Sequence, residues 1–250
     1  MFYGIIGHNR LELGTMKPKI LIMVPAFNEA ESIGKLIEEI LVAIPQADLV
    51  IINDGSGDHT AEEALKAGAL VASLPHNLGI GGAIQTGFQI ACEEDYDVAV
   101  QIDGDGQHDP SYVSQLIQPV LDGTLELCIG SRFLDKTSGT YRSTWFRRFG
   151  IRFFCRLLGF LTGLHLTDPT SGFRATGKKL IRSFAAYYPV DFPEPEAVKI
   201  AKRLGARVGE IPVRMRERQG GRSSIRYLAT LYYMTKVTLA ILIDSLKKNP

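Results

Sequence analysis

The chain has 250 residues, 45% of them hydrophobic and 22% charged, which is the composition of a globular protein rather than a disordered one. That length fits one large α/β domain or two small ones. The 28 Lys and Arg residues nearly balance the 27 Asp and Glu residues, so the net charge of +1 indicates no nucleic-acid partner. The cysteines Cys92, Cys128 and Cys155 are odd in number and far apart, which argues against a disulfide framework and a zinc site. We expect a reduced, cytoplasmic compartment.

The first fifteen residues lack the charged start and apolar run of a secretory signal. Met16 opens a segment that reads like a natural protein start. We therefore interpret residues 1–15 as an N-terminal extension and place the folded domain at residues 16–223.

Apolar runs and amphipathic segments alternate from Lys19 onward. Strands are predicted at 19–25, 47–53, 69–74, 97–103 and 125–131. Helices are predicted at 29–43, from the turn at 54–58 to about 67, at 81–93 and from Pro110. This alternation predicts an α/β fold with a doubly wound, mostly parallel sheet. After Arg132 the pattern changes, and we predict helices at 177–186 and 195–204 and a strand at 206–215.

Carboxylates follow two of the predicted strands. Asp54 comes after the second strand, and Asp103 and Asp105 come after the fourth, at the edge where such sheets bind ligands. Two carboxylates two residues apart, with Gln107 beside them, can face one Mg²⁺ or Mn²⁺, because these ions favour oxygen ligands and substrate phosphates. Taken alone, the segment is also compatible with an Asp/Gly-rich turn. It is not an EF-hand loop, because Ser114 stands where that loop needs Glu.

The glycines at 79–82 fit neither common phosphate-binding fingerprint. Ile84 stands where the third glycine of a dinucleotide-binding motif belongs, and no Gly-Lys-Ser/Thr follows. The segment therefore predicts only a glycine turn that opens a helix.

Two groups of arginines are candidates for binding phosphates or anionic lipids. Arg218 and its neighbours at 216–223 lie in a Gly-rich setting, which suits either a mobile loop that closes over phosphates or a solvated charge run. Arg147 lies in the basic, aromatic segment 143–163, which suits either an interface with anionic headgroups or a half-buried helix whose charged ends reach solvent. The acids Asp191, Glu194 and Glu196 suit an acceptor base or, equally, the start of a helix.

Several short motifs occur together in an order that resembles family 2 glycosyltransferases of the GT-A fold. They are VPAFNE (24–29), NDGS (53–56), NLG with a following glycine (77–81) and DGDGQHDP (103–110). Three later motifs are similar to the dolichol-phosphate mannosyltransferase branch and its bacterial polyprenyl-phosphate relatives. They are GSRF (130–133), TSGFRA (170–175) and RxxGxS (218–223). The resemblance covers about residues 19–226, and Asn53 stands where relatives often have Asp.

This resemblance implies a role for each matching residue. Contacts to the nucleotide sugar are expected from Pro25, Ala26, Asn28, Glu29, Asp54, Gly81, Asp103, Arg218 and Ser223. Metal ligands are expected at Asp103, Asp105 and Gln107, and contacts to an acceptor phosphate at Arg132, Arg147 and Arg174. The catalytic residues are expected to be Asp105, Arg132, Asp191 and Glu196.

The function implied by the resemblance is an inverting, metal-dependent transfer from a nucleoside-diphosphate sugar, UDP slightly preferred over GDP, to a polyprenyl phosphate in cell-envelope glycan synthesis. If the acceptor is instead a saccharide hydroxyl, a carboxylate base among Asp191, Glu194 and Glu196 becomes essential. A sugar nucleotidyltransferase is a further alternative, although residues 26–29 lack the Gly-rich basic loop it should carry. The third alternative is a non-enzymatic scaffold that binds a sugar nucleotide and a membrane partner without catalysis.

The C-terminal segment is largely apolar but marginal for a membrane span. Residues 227–243 number seventeen and include Lys236, whereas a spanning helix needs about twenty apolar residues. We expect residues 224–250 to form an amphipathic helix that lies on the membrane or docks on a small membrane partner protein, with an ordinary core helix as the alternative. The expected location is cytoplasmic, peripheral on the inner face of the cell membrane, and a homo-oligomer remains open.

Overall fold

In the computed structural model, residues 17–134, 145–191, 193–216 and 235–239 are described. Within these ranges seven strands form one sheet in the order β3-β2-β1-β4-β6-β5-β7. The strands are β1 (Ile20–Ala26), β2 (Asp48–Asn53), β3 (Leu70–Ser73), β4 (Val98–Gln101), β5 (Leu127–Ser131), β6 (Arg174–Gly177) and β7 (Val208–Pro212). The helices are α1 (Ile33–Ala43), α2 (Thr60–Lys66), α3 (Gly79–Glu93), α4 (Val113–Leu121), α5 (Trp145–Thr162), α6 (Lys178–Ala186) and α7 (Pro193–Arg203).

The sheet is mostly parallel, as predicted. β1 pairs in parallel with β2 and β4, β2 with β3, and β5 with β7. β6 is the exception, because it lies antiparallel between β4 and β5. Its four residues were not predicted as a strand, since RATG carries no apolar run or alternation and its partners lie far away in sequence.

The hydrophobic core has two halves, one on each face of the sheet. Along β1, Leu21 and Met23 belong to one buried cluster, and Ile20, Ile22 and Val24 belong to the other. α3, α5, α6 and α7 cover the first face, whereas α1 and α4 cover the second. Burial on both faces explains why β1 reads as a continuous apolar run.

Two helices begin later than their sequences suggest. α1 starts at Ile33 rather than 29, because the carbonyl of Glu29 first accepts from the backbone N–H groups of Ser32 (3.0 Å) and Ile33 (2.9 Å). Before α4, the residues Pro110–Tyr112 form a 3₁₀ turn that Asp109 caps by accepting from the backbone N–H of Ser111 at 3.0 Å. Both turns are on the edge of the sheet at which β1 and β4 end.

Little of the C-terminal segment falls within the described ranges. Residues 235–239 are helical, and Val237 belongs to the buried core cluster that also contains residues of α3 and α6. This turn therefore packs against the protein itself. The rest of 224–250, like residues 1–15, lies outside the described residues. Across the ranges that the structure describes, no helix is both long and apolar enough to cross a membrane.

Candidate active site

The loops that follow β1 and β2 are tied together by reciprocal hydrogen bonds. The backbone N–H of Asn28 donates to Ser56 Oγ (3.0 Å), and Asn28 Oδ1 accepts from the backbone N–H of Gly57 (2.9 Å). Asn28 has a φ of +56°, a conformation that asparagine tolerates better than most residues. Glu29 is buried, its backbone N–H donates to Thr60 Oγ1 (2.9 Å), and its carboxylate accepts from Ser32 Oγ (3.1 Å). Asn28 and Glu29 therefore stabilise the conformation of these loops. That they also contact the nucleotide stays a prediction.

Asp54 joins the end of β2 to the start of α3. Its carboxylate accepts from the backbone N–H of Leu78 at 2.7 Å and also interacts with that of Gly79. Burial raises the pKa of Asp54 above its usual value, although both backbone donors oppose the shift. Asn53 has a local role as well, since its amide accepts from the backbone N–H of Ser56 (3.1 Å) and donates to Ser73 Oγ (3.2 Å).

Gly81 lies in the first turn of α3 against the chain that precedes Asp191. Its backbone N–H donates to the carbonyl of Val190 at 3.0 Å. A Cβ at this position would lie 2.1 Å from the carbonyl oxygen of Pro189, so only glycine fits. Close backbone approach thus accounts for the glycine, whether or not it also contacts the donor as predicted.

Asp103 is fixed by its neighbours at the end of β4. Its Oδ1 accepts from Gln101 Nε2 (3.1 Å), and its backbone N–H donates to His108 Nδ1 (3.0 Å). Because Nδ1 accepts, the proton of the neutral ring is on Nε2, which lies 3.7 Å from Asp103 Oδ2. His108 is 2% exposed and stacks on Phe173 with ring centroids 5.0 Å apart, so it supports Asp103 rather than reaching a ligand itself.

Asp105 and Gln107 complete the predicted metal segment. Asp105 is buried, and its Oδ1 accepts from the backbone N–H of Gln107 at 3.0 Å, which closes a tight turn. The described part of the chain contains no cluster of three or more His, Cys, Asp and Glu side chains suited to a metal. Two carboxylates and an amide nevertheless fit Mg²⁺ or Mn²⁺, because these ions usually take few protein ligands and complete their shell with phosphates and water.

The carboxylate of Asp103 rests on Gly172, in the turn that leads into β6. A Cβ at Gly172 would lie 2.8 Å from Oδ2 and 2.9 Å from Oδ1 of Asp103, and 2.9 Å from Nε2 of Gln101. Close approach of this turn therefore requires glycine. None of the predicted metal ligands is in this turn, yet its close approach limits where the carboxylate of Asp103 can lie.

We expect Gly172→Ala to weaken Mn²⁺ binding by roughly tenfold or more, because the added methyl group must displace the Asp103 carboxylate. Titration of the protein with Mn²⁺, followed by electron paramagnetic resonance, measures this change. Gly34→Ala is the matched control, since a Cβ there meets nothing within 4 Å. Equal Mn²⁺ affinity of Gly172→Ala and the control would refute this account of the turn.

Arg132 forms a buried ion pair with Asp168. Its Nε and Nη2 donate to the two carboxylate oxygens at 2.5 and 2.6 Å, and Nη2 also lies 3.1 Å from Thr170 Oγ1. Arg132 is 8% exposed and Asp168 is fully buried. This bidentate geometry fixes the guanidinium plane beside the end of β5.

A second acid, the half-buried Glu210 on β7, supports this pair through the backbone next to Asp168. Its carboxylate accepts from the backbone N–H groups of Thr167 and Asp168, both at 2.7 Å, and from Thr167 Oγ1 at 2.8 Å. Burial raises the pKa of Glu210 above its usual value, against the effect of these donors. Glu210 therefore anchors the backbone of Asp168, which in turn orients Arg132.

Arg174, predicted to contact an acceptor phosphate, is buried and donates to backbone carbonyls instead. Its Nε donates to Ser171 (2.7 Å), Nη2 to Pro169 (2.7 Å) and Nη1 to Glu194 (2.9 Å). These bonds join the turn before β6 to the first turn of α7. The arrangement favours a structural role for Arg174 over phosphate binding.

Glu194, in the first turn of α7, has a strongly shifted carboxyl pKa. Burial raises its pKa to about 7, the nearby charge of Asp103 adds to the shift, and Arg174 and Arg132 oppose it. Asp103 follows β4, Arg132 follows β5 and Arg174 begins β6, so the three charges that act on Glu194 come from neighbouring strands. Glu194 therefore lies within electrostatic range of the predicted metal segment and of both buried arginines.

We expect the stability of the metal-free protein to fall as the pH rises from 4.5 to about 7, because the folded state holds a proton on Glu194 that the unfolded chain has lost. A group with a raised carboxyl pKa disfavours folding once it ionises. Glu194→Gln should remove part of this pH dependence. Thermal unfolding of both proteins across this pH range measures it, with Glu62→Gln on the surface as the control. Parallel curves for wild type and Glu194→Gln would show that Glu194 ionises normally.

The two predicted catalytic acids near Glu194 are placed differently. Asp191 is exposed and forms an ion pair with Lys236 of the C-terminal segment. Glu196 is half-buried in the first turn of α7, where a carboxylate also favours the helix N-terminus. Arg218 and Ser223, and the side chain of Arg147, lie outside the described residues, so their predicted roles are untested.

Comparison with known proteins identifies relatives for most of the chain. Residues 21–184 match the model of the family described as glycosyl transferase family 2. An undecaprenyl-phosphate mannosyltransferase of Micrococcus luteus is 32% identical over 223 residues, which cover 83% of this chain and 87% of the relative. An uncharacterized protein of Methanocaldococcus jannaschii is 34% identical, with 79% and 82% covered. Glucosyl-3-phosphoglycerate synthase of Mycobacterium tuberculosis, solved with Mn²⁺ and UDP-glucose, superposes with a TM-score of 0.66 at 25% identity, covering 91% of this chain and 79% of that one.

Proposed function

The chain belongs to glycosyl transferase family 2 and is a glycosyltransferase, and we propose that it transfers a sugar from a nucleoside diphosphate, with inversion, to a polyprenyl phosphate. The observation that supports this most is the convergence of Asp103 and Asp105 with the Arg132–Asp168 pair at one edge of the sheet. A carboxylate pair suited to a metal diphosphate and a fixed guanidinium would thus act at the same edge of the sheet. The names of relatives that act on undecaprenyl and dolichyl phosphates favour the same acceptor class.

The donor's diphosphate would be held through Mg²⁺ or Mn²⁺ by Asp103, Asp105 and Gln107. A divalent ion there would stabilise the negative charge that the departing nucleoside diphosphate gains. Gln101, His108 and Gly172 keep the Asp103 carboxylate in one orientation before the donor arrives. The solved relative with Mn²⁺ and UDP-glucose supports this use of the site.

The nucleoside would lie over the ends of β1 and β2, against Pro25, Ala26, Asn28, Glu29 and Asp54. The cross-linked loops after these strands present a rigid surface, which lowers the entropy lost on binding. UDP is our slight preference over GDP, in keeping with the UDP complexes of the solved relative. Arg218 and Ser223 are proposed to close over the phosphates.

The acceptor phosphate would contact Arg132, with Arg147 as a second candidate. A phosphate monoester is already ionised near neutral pH, so it attacks without a strong general base. Positioning and charge stabilisation then provide most of the rate enhancement. Such an acceptor places the enzyme at a membrane, and we propose the inner face, in cell-envelope glycan synthesis.

One observation favours a second candidate, transfer to a saccharide hydroxyl. That reaction needs a general base, and Glu194, within electrostatic range of the predicted metal segment, has a pKa of about 7, close to the ideal value for such a role. Amide substitutions distinguish the two acceptors. Unchanged turnover in Asp191→Asn, Glu194→Gln and Glu196→Gln would exclude the hydroxyl acceptor, whereas loss of turnover in one of them would identify the base.

The proposed function is tested by incubating the protein with Mn²⁺, a panel of nucleotide sugars and a short-chain polyprenyl phosphate. We expect one donor to give a glycosyl phosphate with an inverted anomeric centre, measured by nuclear magnetic resonance. Transfer to saccharides alone would overturn the proposal in favour of the alternative acceptor. Formation of a nucleotide sugar and pyrophosphate from a nucleoside triphosphate and a sugar 1-phosphate, in a parallel incubation, would overturn it in favour of a nucleotidyltransferase. Undiminished transfer by Asp105→Ala would overturn the metal-dependent mechanism.

A further inference from the structure

The segment that follows β7 crosses the edge of the sheet from the end of β5 to the predicted metal segment. The backbone N–H of Val213 donates to the carbonyl of Ser131 at 3.0 Å, and Met215 forms an antiparallel bridge with His108. Val213 and Met215 are both buried, so this part of the chain is packed into the protein. The next residue, Arg216, is therefore held beside the predicted metal segment.

Arg216 contacts the predicted metal ligand Gln107 through the backbone. The backbone N–H of Arg216 donates to the carbonyl of Gln107 at 2.9 Å. The backbone N–H of Gln107 in turn donates to Asp105 Oδ1 at 3.0 Å. Gly106 lies between these two residues with a φ of +73°, and a glycine leaves a turn more conformational freedom than other residues do. A contact from outside the turn therefore matters for where Gln107 lies.

The guanidinium of Arg216 is anchored by two carboxylates from different elements. Its Nη1 donates to Glu39 of α1, and its Nη2 lies 3.0 Å from Asp109 Oδ1. Asp109 is also the residue that caps the 3₁₀ turn before α4, by accepting from the backbone N–H of Ser111. The Arg216 side chain is 35% exposed, so the ion pairs are partly shielded from water. This arrangement favours a structural role for Arg216 over phosphate binding.

The three predicted metal ligands are thus restrained in different ways. Asp103 is held by two neighbouring side chains, and Asp105 by the turn itself. For Gln107 the contact comes from Arg216, which is far away in sequence. Groups that orient metal ligands from outside typically contribute roughly 10- to 100-fold to metal affinity. One reason is that a ligand already in place loses less entropy when the ion binds.

We propose that Arg216 is a positioning residue for the divalent ion, and that it acts by holding Gln107 and Asp109 on either side of the end of the metal segment. This inference rests on the proposed function, because it concerns the ion that would bind the donor's diphosphate. Arg216 is not itself a ligand, since its guanidinium is positively charged and donates to Glu39 and Asp109. Its contribution is to keep the turn in the conformation that accepts the ion.

The test is titration of the full chain with Mn²⁺ in the presence of UDP, followed by electron paramagnetic resonance. Arg216→Met keeps an unbranched side chain and removes the guanidinium, and we expect its Mn²⁺ affinity to fall by roughly tenfold. Loss of a positive charge near a cation site would by itself raise that affinity, so a decrease is specific to positioning. Arg214→Met is the matched control, because it removes an exposed charge from the same segment and should not lower Mn²⁺ affinity.

A double-mutant cycle tests whether the anchored side chain is responsible. Glu39→Met should lower Mn²⁺ affinity by about threefold, less than Arg216→Met, because Asp109 still holds the guanidinium. Glu38→Met, which removes the exposed neighbouring carboxylate of α1, is its control. The double variant Arg216→Met/Glu39→Met should bind Mn²⁺ no more weakly than Arg216→Met alone, since both substitutions break the same contact.

Steady-state kinetics separate positioning from a general loss of structure. At saturating Mn²⁺ and donor, kcat of Arg216→Met should be within about twofold of wild type, while the Mn²⁺ concentration needed for half-maximal rate stays raised. A lower thermal unfolding midpoint with unchanged Mn²⁺ affinity would instead identify Arg216 as a purely structural residue and overturn the inference. If Arg216→Met does not fold, the comparison of Glu39→Met with Glu38→Met decides in the same way.

The remaining outcomes distinguish this inference from the proposed function. Equal Mn²⁺ affinity of Arg216→Met and Arg214→Met, or losses that multiply in the double variant, would overturn the positioning role even if sugar transfer occurs. Absence of Mn²⁺ binding by the wild-type protein would overturn it as well. The expected order of Mn²⁺ affinities without any sugar transfer would support the positioning role and refute the transfer reaction.

Discussion

Asp105→Asn is expected to lower transferase turnover by about 1,000-fold while leaving the protein folded. The amide is nearly isosteric with the carboxylate and still accepts from the backbone N–H of Gln107, which Oδ1 of Asp105 does at 3.0 Å in the native turn. It removes one of the two negative charges available to a divalent ion. The loss should appear in kcat and in Mn²⁺ affinity measured in the presence of UDP, and the thermal unfolding midpoint should change little.

Asp122→Asn provides a matched control for this substitution. Asp122 also closes a turn, accepting from the backbone N–H of Thr124 at 3.0 Å, but it is exposed in the loop that precedes β5. Its amide should leave turnover and Mn²⁺ affinity unchanged. If Asp105→Asn keeps more than about a tenth of wild-type turnover, a bound metal contributes too little for the mechanism proposed here.

Arg132→Met is expected to destabilise the protein by about 3–5 kcal/mol, because it leaves the carboxylate of Asp168 buried without its counter-ion. Asp168→Leu should lower the free energy of unfolding by a similar amount, because it leaves the guanidinium of Arg132 buried without its counter-ion. In the double variant Arg132→Met/Asp168→Leu neither charge remains, and the free energy of unfolding should return to near the wild-type value. Urea unfolding of the four proteins measures the coupling.

The double variant also separates folding from catalysis. If Arg132 binds the acceptor phosphate, the double variant should be folded yet transfer sugar about 100-fold more slowly. Arg207→Ala serves as the control, since Arg207 pairs with Glu126 in a similar bidentate way on the exposed surface, where water screens the pair and it contributes little to stability. Additive effects of the two single substitutions would contradict a coupled buried pair, and full activity of the double variant would remove Arg132 from the mechanism.

The candidate site was partly predictable because some of its residues follow strands directly. Asp54, Asp103 and Asp105 stand at strand ends that the apolar runs define, and the strand order confirms that these ends share one edge. The supporting residues were not predictable in the same way. Gln101 lies inside a strand, and Glu210 is on a strand more than forty residues after the backbone that it anchors. Nothing local in sequence distinguishes them from ordinary polar residues.

The arginines illustrate the same difference. Arg132 and Arg174 both occur in short motifs, and both were predicted to contact an acceptor phosphate. In the structure, Arg132 lies against a carboxylate at the edge of the sheet, whereas Arg174 donates to three backbone carbonyls. Similarly, three acids near the start of α7 were equivalent in sequence. Burial raises the pKa of the Glu194 carboxyl group, whereas Asp191 is exposed and pairs with Lys236.

The sequence by itself determined the alternation of strands and helices, the mostly parallel sheet and the carboxylates at its edge, since these depend on periodicity and on residues a few positions apart. The tertiary structure decided the antiparallel β6, the contacts that link Arg132, Asp168 and Glu210, and which side of α5 is buried. Each of these depends on which distant segments are brought together, and on which side of a helix remains in water once the other side is buried. Burial and pairing then assign opposite roles to arginines and acids that look alike along the chain.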